Sequence, residues 1–214
     1  MPASSTLYVV TPPAAEPISL AVAKQHLRMD QDYDDLLIGG MLSAARLWAE
    51  DYLGRCLVTQ QLLWVVSERP YAGAYPFISL PFPVTVYPLW YPWPELQHQP
   101  MELPRAPVQS VDTVSYGVWG EDDTDLDPSD WQADIPMGRL QITGGAVPMP
   151  HDHISVTFTV GYGADGTKVP KTIIAGILIL LGFLYEHRGD DSMNEIPLAA
   201  RMLLGTQRRT TFGG

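Results

Sequence analysis

Apolar positions in this chain recur at helical spacing near both ends and at strand spacing between them. Ser19 stands before Leu20, Ala23 and Leu27, which share one helix face, so a capped first helix is expected to run to about Met29. The acidic turn Asp30 to Asp35 follows. Asp32 or Asp34 there is expected to accept amide protons at the next helix start and to favour the positive end of its dipole. Leu37, Met41, Ala44, Ala45, Trp48 and Tyr52 recur at steps of three or four, and Gly54 stands where a left-handed C-terminal cap would go. Gly39 and Gly40 weaken this second helix by about 1 kcal/mol each relative to alanine and leave room for a close crossing.

From Leu57 to Glu68 the β-branched and aromatic content rises, which predicts a strand through Leu62, Leu63, Trp64, Val65 and Val66. Ten prolines then fall between Pro70 and Pro107, and proline blocks helix interiors and central strands alike. That stretch reads as an extended excursion with one edge strand. Strand patterns resume at Val111 to Trp119, Gly138 to Thr143 and Ile154 to Val160, where apolar and polar residues alternate. Pro170 suits the first position of a helix that continues to about His187 and is apolar almost all round, so it must be enclosed. Gly189 is expected to end it, and Pro197 opens a last short helix that Gly205 stops.

These elements predict an α+β fold in one domain over residues 1–214. Helical parts at 17–56 and 169–205 form the core, with Leu37, Met41, Trp48 and Tyr52 packing against Ile173, Ile177 and Leu181. A small antiparallel β-sheet is inserted at 57–165 with the proline-rich segment, and 206–214 is a C-terminal tail. Met1 to Pro13 lack a basic start and an apolar run, so they predict a flexible arm and no secretory signal. The most apolar run, Ile173 to Tyr185, would span about 20 Å as a helix, short of the roughly 30 Å hydrocarbon layer, so no membrane partner is expected.

Charge narrows the function. The 214 residues carry a formal net charge of -11. Phosphate-gripping affinity comes from Lys and Arg displacing counterions, so contact with DNA is expected to be non-adhesive. The one cysteine, Cys56, precludes an internal disulfide framework, and its apolar neighbours Leu57 and Val58 predict a packed thiol. From Ile196 onward there are three arginines and no acidic residue, which suits either a tail that meets an acidic surface or a solvated loose end.

Several motifs suggest chemistry at first sight. Gly161, Gly163 and Gly166 fit the GxGxxG spacing, but the helix begins only at Pro170, Asp165 would repel a phosphate and no βαβ unit precedes it, so a tight strand-to-helix connection is expected. Asp123, Asp125, Asp127, Ser129, Trp131 and Asp134 follow a calcium-loop spacing, yet Pro128 takes the glycine position and Asp134 replaces the bidentate Glu. They are read as an acidic surface loop. His151 and His153, flanking Asp152, could offer two imidazoles to zinc, but further candidates, His98 and His187, are distant, so a polar strand entrance is expected. Cys56 has no histidine partner in the pattern, no serine lies in a GxSxG elbow, and carboxylate pairs discriminate nothing in so acidic a chain. No enzyme, cofactor or metal is expected. Trp90 and Trp93, set among prolines, suit a subunit or partner contact or a local lid over the sheet.

The order of several runs carries a resemblance. Glu16-Pro-Ile-Ser-Leu-Ala-Val-Ala-Lys-Gln-His-Leu-Arg, Asp32-Tyr-Asp-Asp-Leu-Leu, Trp48-Ala-Glu-Asp-Tyr-Leu-Gly-Arg and Thr59-Gln-Gln open it. Leu103-Pro-Arg-Ala-Pro-Val-Gln-Ser-Val, Leu126-Asp-Pro-Ser-Asp-Trp, Gly161-Tyr-Gly, Val169-Pro, Tyr185-Glu-His-Arg and Ile196-Pro-Leu-Ala-Ala-Arg-Met-Leu-Leu continue it. Together they resemble the tailed-phage head-tail connector (adaptor) proteins of the gp6-like group, most closely its phiE125 gp8-like branch. Tyr71 to Gln99 departs from the pattern, being longer and more aromatic. The resemblance implies a structural virion protein of the neck, assembled in the host cytoplasm. It would form a ring with itself, commonly of twelve copies, under the portal protein and around the DNA channel, and would receive stopper or tail proteins on its far side. It further implies that the C-terminal segment reaches the portal, which assigns Arg201, Arg208, Arg209 and Phe212 to that contact. An acidic ring agrees with a channel that repels phosphates. The alternative is a calcium-stabilised surface- or carbohydrate-binding module, suggested by the Asp123 to Asp134 spacing and the tryptophans.

Overall fold

A computed structural model of the chain describes residues 4–67, 100–143, 146–148, 151–188 and 196–209. Its contacts group into two compact units, Met1–Val10 with Leu62–Pro104 and Ser110–Phe158, and Thr11–Gln61 with Arg105–Gln109 and Thr159–Gly214.

The second unit carries the helices: α1 (Leu20–Leu27), α2 (Asp35–Leu53), α3 (Lys171–Glu186) and α4 (Leu198–Gly205). The Ser19 hydroxyl accepts from the Val22 amide at 3.4 Å and caps α1. Gly54, at φ 66°, closes α2 in the left-handed region. Ile38, Leu42, Ala45, Ala49 and Leu53 form the buried face of α2, and Ile173, Ile177, Leu180 and Leu181 that of α3. These residues share one core with Ile18, Ala23, Leu57, Val169 and Leu204, and Met41, Trp48 and Tyr52 pack half-buried against it. Trp48 and Tyr52 stack with ring centroids 5.1 Å apart. Where α3 meets α4, a Cβ on Gly176 would lie 2.8 Å from Leu204 Cγ, so only glycine allows that approach.

Three expectations are corrected here. Leu37 is 42% exposed and not a core residue; the buried stripe runs one position later, through Ile38 and Leu42. Neither Asp32 nor Asp34 caps α2. Asp32 pairs with Lys24 at 2.5 Å, while Asp34 accepts from the Tyr185 hydroxyl at 2.6 Å and lies 3.6 Å from Arg188, so tertiary partners outcompete the helix amides. Gly205 belongs to α4, which is followed by Thr206 in right-handed backbone. Gly189 lies outside the described residues, and α3 ends at Glu186 with His187 Nδ1 2.9 Å from the Phe183 carbonyl oxygen.

The strands, in chain order, are β1 (Ser4–Thr11), β2 (Gln60–Ser67), β3 (Met101–Glu102), β4 (Val108–Gly117), β5 (Thr124–Asp125), β6 (Trp131–Asp134), β7 (Arg139–Ile142) and β8 (His153–Val160). They form two small antiparallel sheets, β1-β2-β8-β4-β5 and β3-β7-β6. In the smaller one Trp131 faces Ile142 and Asp134 faces Arg139. β8 is the middle strand of the larger sheet, and His153, Ile154, Ser155 and Val156 are all buried, so its alternation does not separate a wet face from a dry one. The expected flexible arm is instead the edge strand β1. Its β-branched run satisfies one edge by pairing, although Tyr8, Val9 and Val10 stay at least half exposed. Among the described residues no helix is long and apolar enough to cross a membrane.

The packing predicts a contrast in denaturant unfolding. Ile177→Ala should cost about 2–5 kcal/mol, because it empties a fully buried site, whereas Leu37→Ala should cost less than about 0.5 kcal/mol. Equal losses would contradict this assignment of the α2 faces.

Candidate functional site

The motifs that suggest chemistry in the sequence prove to be built into the fold. Asp123 accepts from His153 Nε2 at 2.9 Å and from the Ser155 hydroxyl at 2.8 Å. Asp125 accepts from Ser115, Asp127 caps the short 3-10 turn Pro128–Asp130 through the Ser129 amide and hydroxyl, and Asp134 accepts from the Met137 amide. The Ser129 bonds hold the Asp127 carboxyl below the usual range. Carboxylates spent on separate local partners do not converge on a cation. Among the described residues no group of three His, Cys, Asp or Glu side chains is placed to hold a metal.

His151 and His153 are likewise structural. His151 is fully buried with Nδ1 3.0 Å from the Pro148 carbonyl oxygen, and His153 lies under Trp119 with ring centroids 4.8 Å apart. Asp152 accepts from the Trp119 amide at 3.2 Å. His98 lies outside the described residues, and His187 ends α3. The glycine run is a backbone junction: a Cβ on Gly161 would lie 2.5 Å from the Val58 carbonyl carbon, and one on Gly166 would strike the Pro17 backbone. The amides of Thr59, Gly161 and Tyr162 donate to Gly163, Pro107 and Leu57 carbonyls at 2.8, 2.9 and 3.2 Å. Asp165 then caps the turn Gly166–Lys168 through Thr167, so its carboxylate is occupied where a phosphate would need to bind.

A polar centre that no motif announces lies in the helical unit. Arg46, only 7% exposed, donates through Nε to Glu16 and through Nη1 to Glu50, each at 2.8 Å. The other Glu50 oxygen accepts from the Leu57 amide at 2.8 Å, past the end of α2. Ser43 donates to Glu16 at 2.6 Å, and Arg105 donates to the Glu50 carbonyl oxygen at 2.8 Å and pairs with Asp51 at 2.5 Å. Burial pushes the Glu50 carboxyl up, against the Leu57 and Arg46 bonds. Burial also opposes the Arg46 charge, yet Glu16 and Glu50 together hold that guanidinium above its ordinary value. We read the pair as ionised, since Arg46 meets two carboxylates and Glu50 two donors. The i,i+4 spacing of Arg46 and Glu50 was the available sequence signal, but such pairs mark exposed helix faces as readily. Cys56, beside this centre, is 4% exposed; burial first, then the Glu50 charge, pushes its thiol up to about 12.

The residues singled out for partner contacts are divided by the structure. Arg201 is exposed on α4. The first tail residues fold back on the end of α2: Arg55 Nε donates to the Gln207 carbonyl oxygen at 2.9 Å, the Arg209 amide to Leu53 at 3.0 Å, and the Arg208 guanidinium stands 5.3 Å over the Tyr52 ring. Phe212, Trp90 and Trp93, and Tyr71 to Gln99 as a whole, lie outside the described residues.

No family model matches the sequence, and no curated protein is similar to it in sequence. Solved structures are similar in fold. A chain in the neck of an empty gene transfer agent particle, computed with C6 symmetry, is 20% identical over 97% of this chain and 98% of that one, with a TM-score of 0.70. A chain in the neck of the native particle, computed with C12 symmetry, gives 20%, the same coverage and 0.68; one in the native virion gives 19% and 0.67. The fold is therefore that of chains in the necks of gene transfer agent particles, over nearly the full length of both.

Two measurements check this centre. Glu50→Ala should destabilise the protein by about 3–5 kcal/mol, because it leaves Arg46 buried with half its partners and the Leu57 amide unmet; a loss below about 1 kcal/mol would show that the network carries little. Native Cys56 should react with a disulfide reagent at pH 8 at least about tenfold more slowly than in the denatured chain. Since the fold holds the thiol proton to about 12 against an ordinary 9.0, the folded state binds more protons between those values. Stability should fall as pH rises through that window.

Proposed function

We propose that this chain is a structural neck protein of a phage-like particle, an adaptor that forms a ring under the portal protein, surrounds the DNA channel and offers its far side to stopper or tail proteins. The observation that carries the reading is the shared fold, which spans 97% of this chain and 98% of the gene transfer agent neck chain. The C6 and C12 symmetries of those necks support a ring, and twelve copies fit the higher one. The role is architectural, with no catalysis or cofactor, and it places the protein in the virion neck after assembly in the host cytoplasm.

Charge supports the passage of DNA without specific binding. The formal charge of -11 persists however the ion pairs form, because each of the pairs Lys24 with Asp32 and Asp35, Arg46 with Glu16 and Glu50, Arg105 with Asp51 and Arg139 with Glu102 uses carboxylates along with its cation and the acidic residues remain in excess. A ring of such subunits repels phosphate and lets DNA slide. In this reading Arg208, Arg209 and Phe212 meet the portal, and Trp90 and Trp93 contact a neighbouring subunit or partner.

Electron microscopy of the protein mixed with its cognate portal should show an added ring of density on the portal; a bare portal at saturating protein would count against the reading. The triple variant Arg208→Ala, Arg209→Ala, Phe212→Ala should attach at least about tenfold more weakly, the scale of a few lost interface contacts. Unchanged attachment would remove the tail from the portal contact.

A further inference from the structure

The water-facing side of α2 is apolar where an unpartnered helix would carry charge. At about 3.6 residues per turn, Leu36, Leu37, Gly40, Ala44 and Leu47 fall on one side of the helix, all five are exposed, and the first charged residue on that side is Asp51. Leu36 is 94% exposed and Leu47 54%, and Tyr33, at 75%, extends the strip beyond the helix start. A Cβ on Gly40 would meet nothing within 4 Å. Glycine there costs about 1 kcal/mol relative to alanine, and no described residue uses the space it leaves. Gly40 and Ala44, one turn apart, make a shallow seat between Leu36 and Leu47.

What covers this strip follows from symmetry and charge, and the argument rests on the ring reading above. In a cyclic array each copy meets its two neighbours through two different surfaces, so the strip faces another part of the chain and not its own copy. That part must tolerate negative charge, since Asp51 follows on the same side of the helix and the exposed Asp30 and Asp32 precede its start in the chain. Helix α4 meets both requirements. Leu198 and Met202, 69% and 66% exposed, stand one turn apart on its outer side, Arg201 is exposed beside them, and no acidic residue follows Glu195. The two turns of α4 cover about 12 Å and the strip from Leu36 to Leu47 about 17 Å, so one seats on the other. The other sizeable apolar group, Tyr8, Val9 and Val10 of β1, belongs to a sheet edge whose backbone groups call for a further strand, which a helix face cannot supply.

We propose that in the ring the α2 strip of one copy receives α4 of the adjacent copy, with Leu198 and Met202 over Gly40 and Ala44 and Arg201 directed to this negative charge. This moves Arg201 from the portal contact to the subunit contact.

Paired cysteines test it on the full chain bound to its portal. With Ala44→Cys and Met202→Cys together, a short bismaleimide should convert the portal-bound protein into a ladder of covalent multimers, and Gly40→Cys with Leu198→Cys should do the same. Either single substitution should leave monomers, because the buried Cys56 stays silent. All four positions are exposed, and unchanged melting temperatures will confirm intact folds. No ladder from either pair on a decorated portal would overturn the proposal. So would dimers from Ala44→Cys alone, which would mean that α2 meets α2, or a ladder from Ala44→Cys with Val9→Cys. A wild-type chain that fails to decorate the portal would instead overturn the ring reading itself, and this contact with it.

Discussion

The helical unit depends on the carboxylate of Glu50. It sits near the end of α2, almost out of reach of water, and its two oxygens are divided between Arg46 inside the helix and the amide of Leu57 beyond it. That division fixes how the chain leaves the helix, because Leu57 can satisfy its amide only if the turn through Gly54 brings it back to the side chain. Arg46 in turn reaches Glu16, ahead of α1, and Arg105 closes over the Glu50 carbonyl. The chain around Glu16, α2, Leu57 and Arg105 is thus tied together by one buried charged network. Burying a charge is costly, and an apolar replacement of the whole network could be as stable. What the apolar replacement would lack is direction. Apolar packing of α2 on α3 tolerates small slides, whereas charged bonds of 2.8 Å leave little freedom in where each segment begins.

The same arrangement explains how much was legible beforehand. Repeating apolar spacing revealed the four helices of the described residues within a few positions, and the capping chemistry of Ser19 and Gly54 was readable because it is local. Interactions that pit a local partner against a distant one were not. Asp34 looks like a helix cap until Tyr185 and Arg188 arrive from α3 to claim it. β1 carries no inside-outside alternation, since almost all its residues face water and it is held by pairing to β2, so nothing in its own pattern marked it. The acidic spacing at Asp123 to Asp134 failed in the opposite direction. It matched a metal loop in sequence, but strands and a 3-10 turn aim its carboxylates at separate neighbours. Glu50 itself was invisible, as nothing in the residues around it distinguishes a buried carboxylate from an exposed one.

Charge is distributed by a related logic. A chain with 24 acidic residues and 13 lysines and arginines cannot pair every carboxylate, and this one directs several cations to places where the fold turns: Lys24 between α1 and α2, Arg46 and Arg105 about the end of α2, Arg55 beneath the tail and Arg208 from the tail over Tyr52. Such placement serves stability locally, while the excess of carboxylates over cations leaves a net negative field. Non-specific adhesion to nucleic acid is suppressed without any dedicated residue. A contact between copies, as the ring reading requires, would be favoured where few charges meet, since like-charge contact is costly.

That condition returns to α2 and to the misplacement of Leu37. A helix with one apolar side has an unambiguous wheel, and its core residues can be read by spacing alone. Around α2 the sets through Leu36, Leu37 and Ile38 are all apolar, and the spacing cannot tell which of them faces inward. The fold answers with Ile38, Leu42, Ala45, Ala49 and Leu53, each at 2% exposure or less. A wheel rotated by one residue therefore reflects a helix with more than one apolar side rather than a weak pattern. One side was selected to pack against α3, and the exposed side lacks the charges that a permanently wet surface needs. Ambiguity of this kind is informative in its own right: where an amphipathic reading fails because too many faces are apolar, the excess face is the place to look for a partner outside the chain.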